Sequence, residues 1–138
     1  MPTYRNAAER VLSTRITALL DSLSQGLHGE LRAQDLTPPL AMTLRLLDEP
    51  RSMRYLADAH HCDASNITGI VDRLEKRGLV ERRADPADRR VTLIGRTNDG
   101  DEMRSRLVNA ALGTLSGLGS LSESELEQLN ELLGRLVG

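Results

Sequence analysis

Two adjacent guanidinium groups, Arg89 and Arg90, close a polar stretch that begins at Ala84 and lies between two apolar runs. Cations so placed can neutralise the phosphates of a polyanion. Upstream, Ser65, Asn66, Thr68, Gly69 and Arg73 interleave with Ile67, Ile70, Val71 and Leu74. At helical spacing this puts apolar groups on one side and small or hydrogen-bonding groups on the other. Such a face can enter a major groove about 12 Å wide and meet base edges there. Arg77, Arg82 and Arg83 add charge where neighbouring phosphates would run. The chemistry this pattern offers is recognition of double-stranded DNA, with no bond made or broken.

The elements that must position these residues follow from local signals. Leu12, Ile16, Leu19, Leu20, Leu23 and Leu27 form one stripe, predicting a helix over 10–31 that is broken between Gly29 and Asp35. Thr37-Pro38 opens a second helix, the hydroxyl capping free N–H groups, through Leu40, Leu44 and Leu47 to a stop near Pro50. Ser52 caps a short helix holding Tyr55, Leu56 and Ala59, and Cys62-Asp63 turns the chain. Either Asp63 or Ser65 caps the next helix, which Gly78 ends. Residues 79–82 and 91–94 read as two short strands joined by the polar tip. Helical spacing returns over 99–118, weakened by Gly113, Gly117 and Gly119. Ser122 and Glu125 form a capping box before a last leucine-striped helix with Leu126, Leu129, Leu132, Leu133 and Leu136. The expected fold is mainly α with a small β-hairpin wing, a winged helix-turn-helix.

Composition narrows the function classes. The chain has 138 residues, one domain's worth, with 39% hydrophobic and 28% charged side chains, a folded balance. Two tyrosines, Tyr4 and Tyr55, are its whole aromatic complement, which disfavours RNA and single-strand binders that stack bases. No apolar run approaches the roughly 20 residues of a membrane span. The first ten residues lack the apolar stretch of a secretory signal, and the single Cys62 cannot support a disulfide framework. The location expected is therefore cytoplasmic. Net charge is −2, yet from Ala64 to Thr97 eight cations face five anions, a surplus of three that leaves the remainder at −5. That segregation points to a polyanionic partner for this third of the chain.

The run from Tyr55 to Arg90, with its DRLEKRGLVER and DPADRR pieces, resembles the signature of MarR-type transcriptional regulators, and Thr97-x-x-Gly100 resembles the family's junction between strand and helix. Arg96 stands where the family usually has Leu. The resemblance implies one domain over 1–138. Within it, residues 37–99 form a DNA-binding lobe, and residues 1–31 and 100–138 supply N- and C-terminal dimerisation helices. It also implies a homodimer on a pseudo-palindromic operator and a small anionic or phenolic effector; a repressor is the expected role, with an activator the other. By the same resemblance Ser65, Asn66, Thr68 and Arg73 face the groove. Arg90 enters the minor groove with Asp88 holding its loop, and Arg89 is the second candidate for that place.

Other readings of the same residues are plainer. Cys62 precedes a helix start that could lower its pKa, but a small buried hydrophobe is the simpler role. The resemblance agrees, since redox-sensing members usually carry their cysteine in the first helix. The adjacent His60, His61 and Cys62 cannot readily converge on one tetrahedral ion, so neither a metal nor another cofactor is expected. His28 is isolated. No nucleophile elbow, P-loop or dinucleotide fingerprint is present, so catalysis is not expected. The alternative to a DNA-binding regulator is a protein-interaction module whose winged domain meets another protein without an operator.

Overall fold

Apolar periodicity becomes six helices and one small sheet in the computed structural model, which describes residues 3–138. In order these are α1 (Ala7–Ala33), α2 (Pro38–Leu46), β1 (Arg51–Ser52), α3 (Met53–Ala59), α4 (Ala64–Lys76), β2 (Val80–Ala84), β3 (Thr92–Arg96), α5 (Asn98–Leu112) and α6 (Glu123–Val137). Two compact units result: Leu27–Ala110 is one, and residues up to Gly26 with Ala111–Gly138 are the other.

The core lies in the Leu27–Ala110 unit. Leu40 and Leu44 of α2, Leu56 of α3, Ile67, Val71 and Leu74 of α4 and Ile94 of β3 are all buried. With no Phe or Trp, chiefly Leu, Ile and Val fill this space, with Met53, Met103 and Cys62 packed against it. Thr43 is the one buried polar residue among those described. Its hydroxyl donates to the Pro39 carbonyl (3.0 Å) and meets His60 Nε2 at 2.8 Å. The single hydroxyl proton is thus committed, so Nε2 carries the imidazole proton and Thr43 accepts it. Burial lowers the His60 pKa below its ordinary 6.5. Protons therefore bind the unfolded chain better, and stability is fully present above about pH 6.5 and falls as acid is added. Melting temperatures should drop more between pH 7 and pH 5 for the parent than for His60→Gln. Parallel curves would remove His60 as the cause.

Helix ends in this unit share one device. After α1, α3 and α4 a residue with positive φ turns the chain: Asp35 (52°), His61 (51°) and Gly78 (72°). In each case the next N–H reaches back five residues, Leu36 to Leu31, Cys62 to Ala57 and Leu79 to Leu74, at 2.8–3.0 Å. His61 thereby sets the tight turn between α3 and α4. α1 ends at Ala33, inside the expected break from Gly29 to Asp35, and burial of Leu31 carries the helix past Gly29 despite the helical cost of that glycine.

Other boundaries shift by a few residues. α2 ends at Leu46, ahead of Pro50, and Thr37 makes no side-chain cap, so the prolines at its start set the helix by φ alone. The strands lie at 80–84 and 92–96, displaced toward the C-terminus from 79–82 and 91–94. The hairpin is also one side of a three-stranded antiparallel sheet, β1-β3-β2, with Arg51 opposite Ile94 and Ser52 opposite Leu93. Ser52 then caps α3 by accepting from Tyr55 N (3.1 Å), and Arg51 lies 4.5 Å over the Tyr55 ring. α5 stops at Leu112, and a single 3-10 turn at Leu118–Ser120 replaces the helix expected to run to residue 118.

The other unit is less self-sufficient. α6 has the expected capping box, Glu125 N to Ser122 Oγ (3.3 Å) and Ser122 N to Glu125 Oε2 (2.8 Å). None of its residues is buried. Leu126, Leu129, Leu132, Leu133 and Leu136 remain exposed, as do Val11, Leu12, Ile16, Leu19 and Leu20 of α1. Tyr4 reaches Ser13 Oγ at 3.5 Å.

Candidate nucleic-acid interface

α4 begins because Asp63 holds it. The carboxylate accepts from Asn66 N at 2.9 Å and from Ser65 Oγ at 2.8 Å. Of the two candidate caps the acid is the one used. These bonds, the one from the Asn66 backbone foremost, hold the Asp63 carboxyl below the usual carboxylate range. With Ile67, Val71 and Leu74 buried, the opposite side of the helix presents Ser65, Asn66, Thr68 and Arg73 to solvent, and Gly69 is half-buried. A Cβ added at Gly69 would meet nothing within 4 Å, so the glycine leaves open space against the helix backbone.

The hydrogen-bonding capacity of this face is unequal. Ser65 gives its proton to Asp63, and Thr68 gives its own to the Ala64 carbonyl at 2.7 Å. Both hydroxyls are left as acceptors. The Asn66 side chain keeps donors and acceptor open. It lines a cleft of about 320 Å³ with Gly69, Arg73, Thr37, His60 and Cys62. Cys62 is half-buried and packs on the core, in keeping with the hydrophobic role.

At the hairpin tip, Asp88 accepts from the Arg90 backbone N (3.1 Å), Nε (3.1 Å) and a terminal nitrogen (3.2 Å). The Arg90 side-chain contact is the main cause of a lowered Asp88 pKa. Val91 N donates to the Asp88 carbonyl and Asp85 N to the Val91 carbonyl, both at 2.9 Å, closing the turn, and Arg90 remains 91% exposed. Arg89 is exposed beside it. The loop thus orients one guanidinium by its fork and leaves the other to solvent.

The remaining expected cations divide. Arg77 donates to the carbonyls of Asp35 (2.8 Å) and Gln34 (2.7 Å), tying the end of α4 to the end of α1. Arg82 reaches from β2 to Asp72 (2.6 Å) and to Glu75. Arg83 pairs with Glu81 at 2.7 Å. Lys76 was not singled out from the sequence, yet it stands exposed with Arg73 and Arg77 along a shallow cleft beside Asp35 and Thr37. Its spacing of three from Arg73 was the available signal.

Arg96 is also explained. Its side chain is only 13% exposed and donates to Asp101 (2.6 Å) and to the Leu44 carbonyl (2.8 Å), one of the acceptors left open at the end of α2. Asp48 lies 3.6 Å from it and 3.2 Å from Arg104. A cation at a helix C-terminus, matched by carboxylates, occupies the position of an aliphatic residue.

The sequence model of the MarR family matches residues 36–92, which hold α2 to β2 and the hairpin tip. Over 133 residues the chain is 28% identical to the organic hydroperoxide resistance transcriptional regulator of Bacillus subtilis, covering 95% of this chain and 82% of that one. A probable transcriptional regulator from Pseudomonas aeruginosa, solved by crystallography, is 32% identical. It covers 91% of this chain and 98% of its own, with a TM-score of 0.57. The transcriptional regulator Tm0710 from Thermotoga maritima, 22% identical, shares the fold at a TM-score of 0.72 over 94% of this chain and 93% of that one.

Proposed function

Because this chain belongs to the MarR family of winged helix-turn-helix transcriptional regulators, we propose that it binds a pseudo-palindromic operator as a cytoplasmic homodimer and represses transcription until a small anionic or phenolic effector releases it. The carrying observation is α4, a helix with a buried apolar side and an exposed small polar side, followed by a hairpin tip holding Arg89 and Arg90. A helix for the groove and cations for the backbone are the two parts that sequence-specific binding requires. Residues 37–99 are the DNA-binding lobe. Residues 1–31 and 100–138 pair two copies, which accounts for leucines exposed along α1 and α6. The relatives matched are regulators rather than enzymes, and the chain has no catalytic role in this reading.

Selection of bound sequences from random duplex DNA tests the proposal. A regulator enriches a two-fold symmetric site, whereas a protein-interaction module enriches none. Division of labour can then be read by substitution. Arg90→Ala should weaken the selected and random duplexes together and make the salt dependence shallower by about one unit. Asn66→Ala should instead narrow the gap between selected and random DNA at nearly constant salt slope, by about 1–3 kcal/mol if its amide pairs with a base. Thr68→Ala should narrow it less, since its proton is already spent within the helix. Unchanged binding in both Arg89→Ala and Arg90→Ala would remove the hairpin from the interface.

A further inference from the structure

The recognition helix α4 carries acids beside its cations. Asp72 and Glu75 alternate with Arg73 and Lys76 in sequence, so the helix turn separates them onto two flanks. Arg73 and Lys76 line a cleft on one flank. On the other, Asp72 and Glu75 are 60% and 41% exposed at their side chains, and both are held by the fork of Arg82. An inserted helix has phosphates on both sides of a groove about 12 Å wide, within the Debye length of about 8 Å at physiological salt. Two bare carboxylates there would repel the duplex.

We propose that Arg82 is a positioning residue: by spanning Asp72 and Glu75 it neutralises the acidic flank of α4 and pins the helix to the base of the wing, so that the cationic flank leads into the groove. Arg82 then acts through the helix and touches no phosphate. Its side chain is 30% exposed, its fork is committed, and the strand that carries it pairs with β3, whose far end leads from the wing tip. A lysine could supply the charge but not two divergent donors. The inference rests on the DNA-binding reading given above.

The test uses the full chain, a duplex selected by the parent, and a random duplex, titrated at several salt concentrations. Partly exposed ion pairs add little to folding, so Arg82→Ala should stay folded, as its thermal melt will show. Its affinity for both duplexes should fall on the order of tenfold, the scale of a charged hydrogen-bonded contact. The triple variant Arg82→Ala, Asp72→Asn, Glu75→Gln should recover most of the lost affinity, since the acids that repel are gone and only the tie to the wing is missing. Arg82→Lys, which keeps the charge without the fork, should bind several-fold more weakly than the parent. A phosphate contact behaves oppositely: the triple variant stays weak with a salt slope shallower by about one, and Arg82→Lys binds like the parent. That result overturns the inference while leaving DNA binding intact. A parent that binds no duplex overturns both.

Discussion

Gly100→Ala should destabilise the Leu27–Ala110 unit by about 3 kcal/mol or more, read as a lowered urea midpoint at unchanged slope. Gly100 is buried in the first turn of α5, and a Cβ built on it would lie 2.0 Å from the Leu79 carbonyl oxygen and 3.0 Å from its carbon. No rotamer relieves that contact, because the obstacle is backbone on both sides. Moving α5 away would strain a shared set of bonds. Thr97 N donates to the Leu79 carbonyl (3.2 Å), Gly100 N donates to Thr97 Oγ1 (3.1 Å), and Thr97 Oγ1 donates to the Gly78 carbonyl (2.5 Å). Each contributes about 1 kcal/mol, so losing two or three adds to the overpacking term. Against a total of about 5–15 kcal/mol the loss is severe. Gly95→Ala is the control: its Cβ meets only the Arg83 guanidinium, a flexible end that can swing away. Loss of less than about 1 kcal/mol at Gly100 would show that α5 is free to shift.

The second large effect is expected on α6. Leu129→Glu with Leu133→Glu should convert a dimer of about 30 kDa into a 15.2 kDa monomer by sedimentation. Binding to a two-fold site should then weaken by about a hundredfold or more, because two linked half-sites become separate events. α6 buries no residue of its own, yet its leucines recur at steps of three and four. A helix so patterned calls for an apolar surface to cover it, and its own chain leaves those leucines exposed. A parent that sediments as a monomer, or a variant that binds the palindrome undiminished, would end the two-fold reading.

What could be read from the sequence was what is local. The Ser122–Glu125 box, the Ser52 cap and the stop at Gly78 depend on residues within four positions, and all three form as expected. The polar face of α4 was equally legible, since its period is fixed by the apolar residues beneath it. What escaped depends on distant partners. β1 is two residues long, too short for any period, and exists because β3 offers it an edge. Asp35 and His61 take the left-handed conformation that glycine would advertise, so a break near Asp35 and a turn at Cys62-Asp63 were legible but the residues that make them were not. Charge alone could not tell whether Arg77 and Arg82 await a phosphate or already hold a carbonyl and a carboxylate.

The scarcity of aromatic rings has an optical consequence. Tyr4 lies in one unit and Tyr55, under Arg51, in the other, and no tryptophan is present to drain their emission. Tyr4→Phe therefore leaves a protein whose ultraviolet fluorescence comes from a single ring in the Leu27–Ala110 unit. Tyr55→Phe leaves the complementary reporter. Comparing the two along one denaturation curve distinguishes units that melt together from units that melt in turn, with no label attached to the chain.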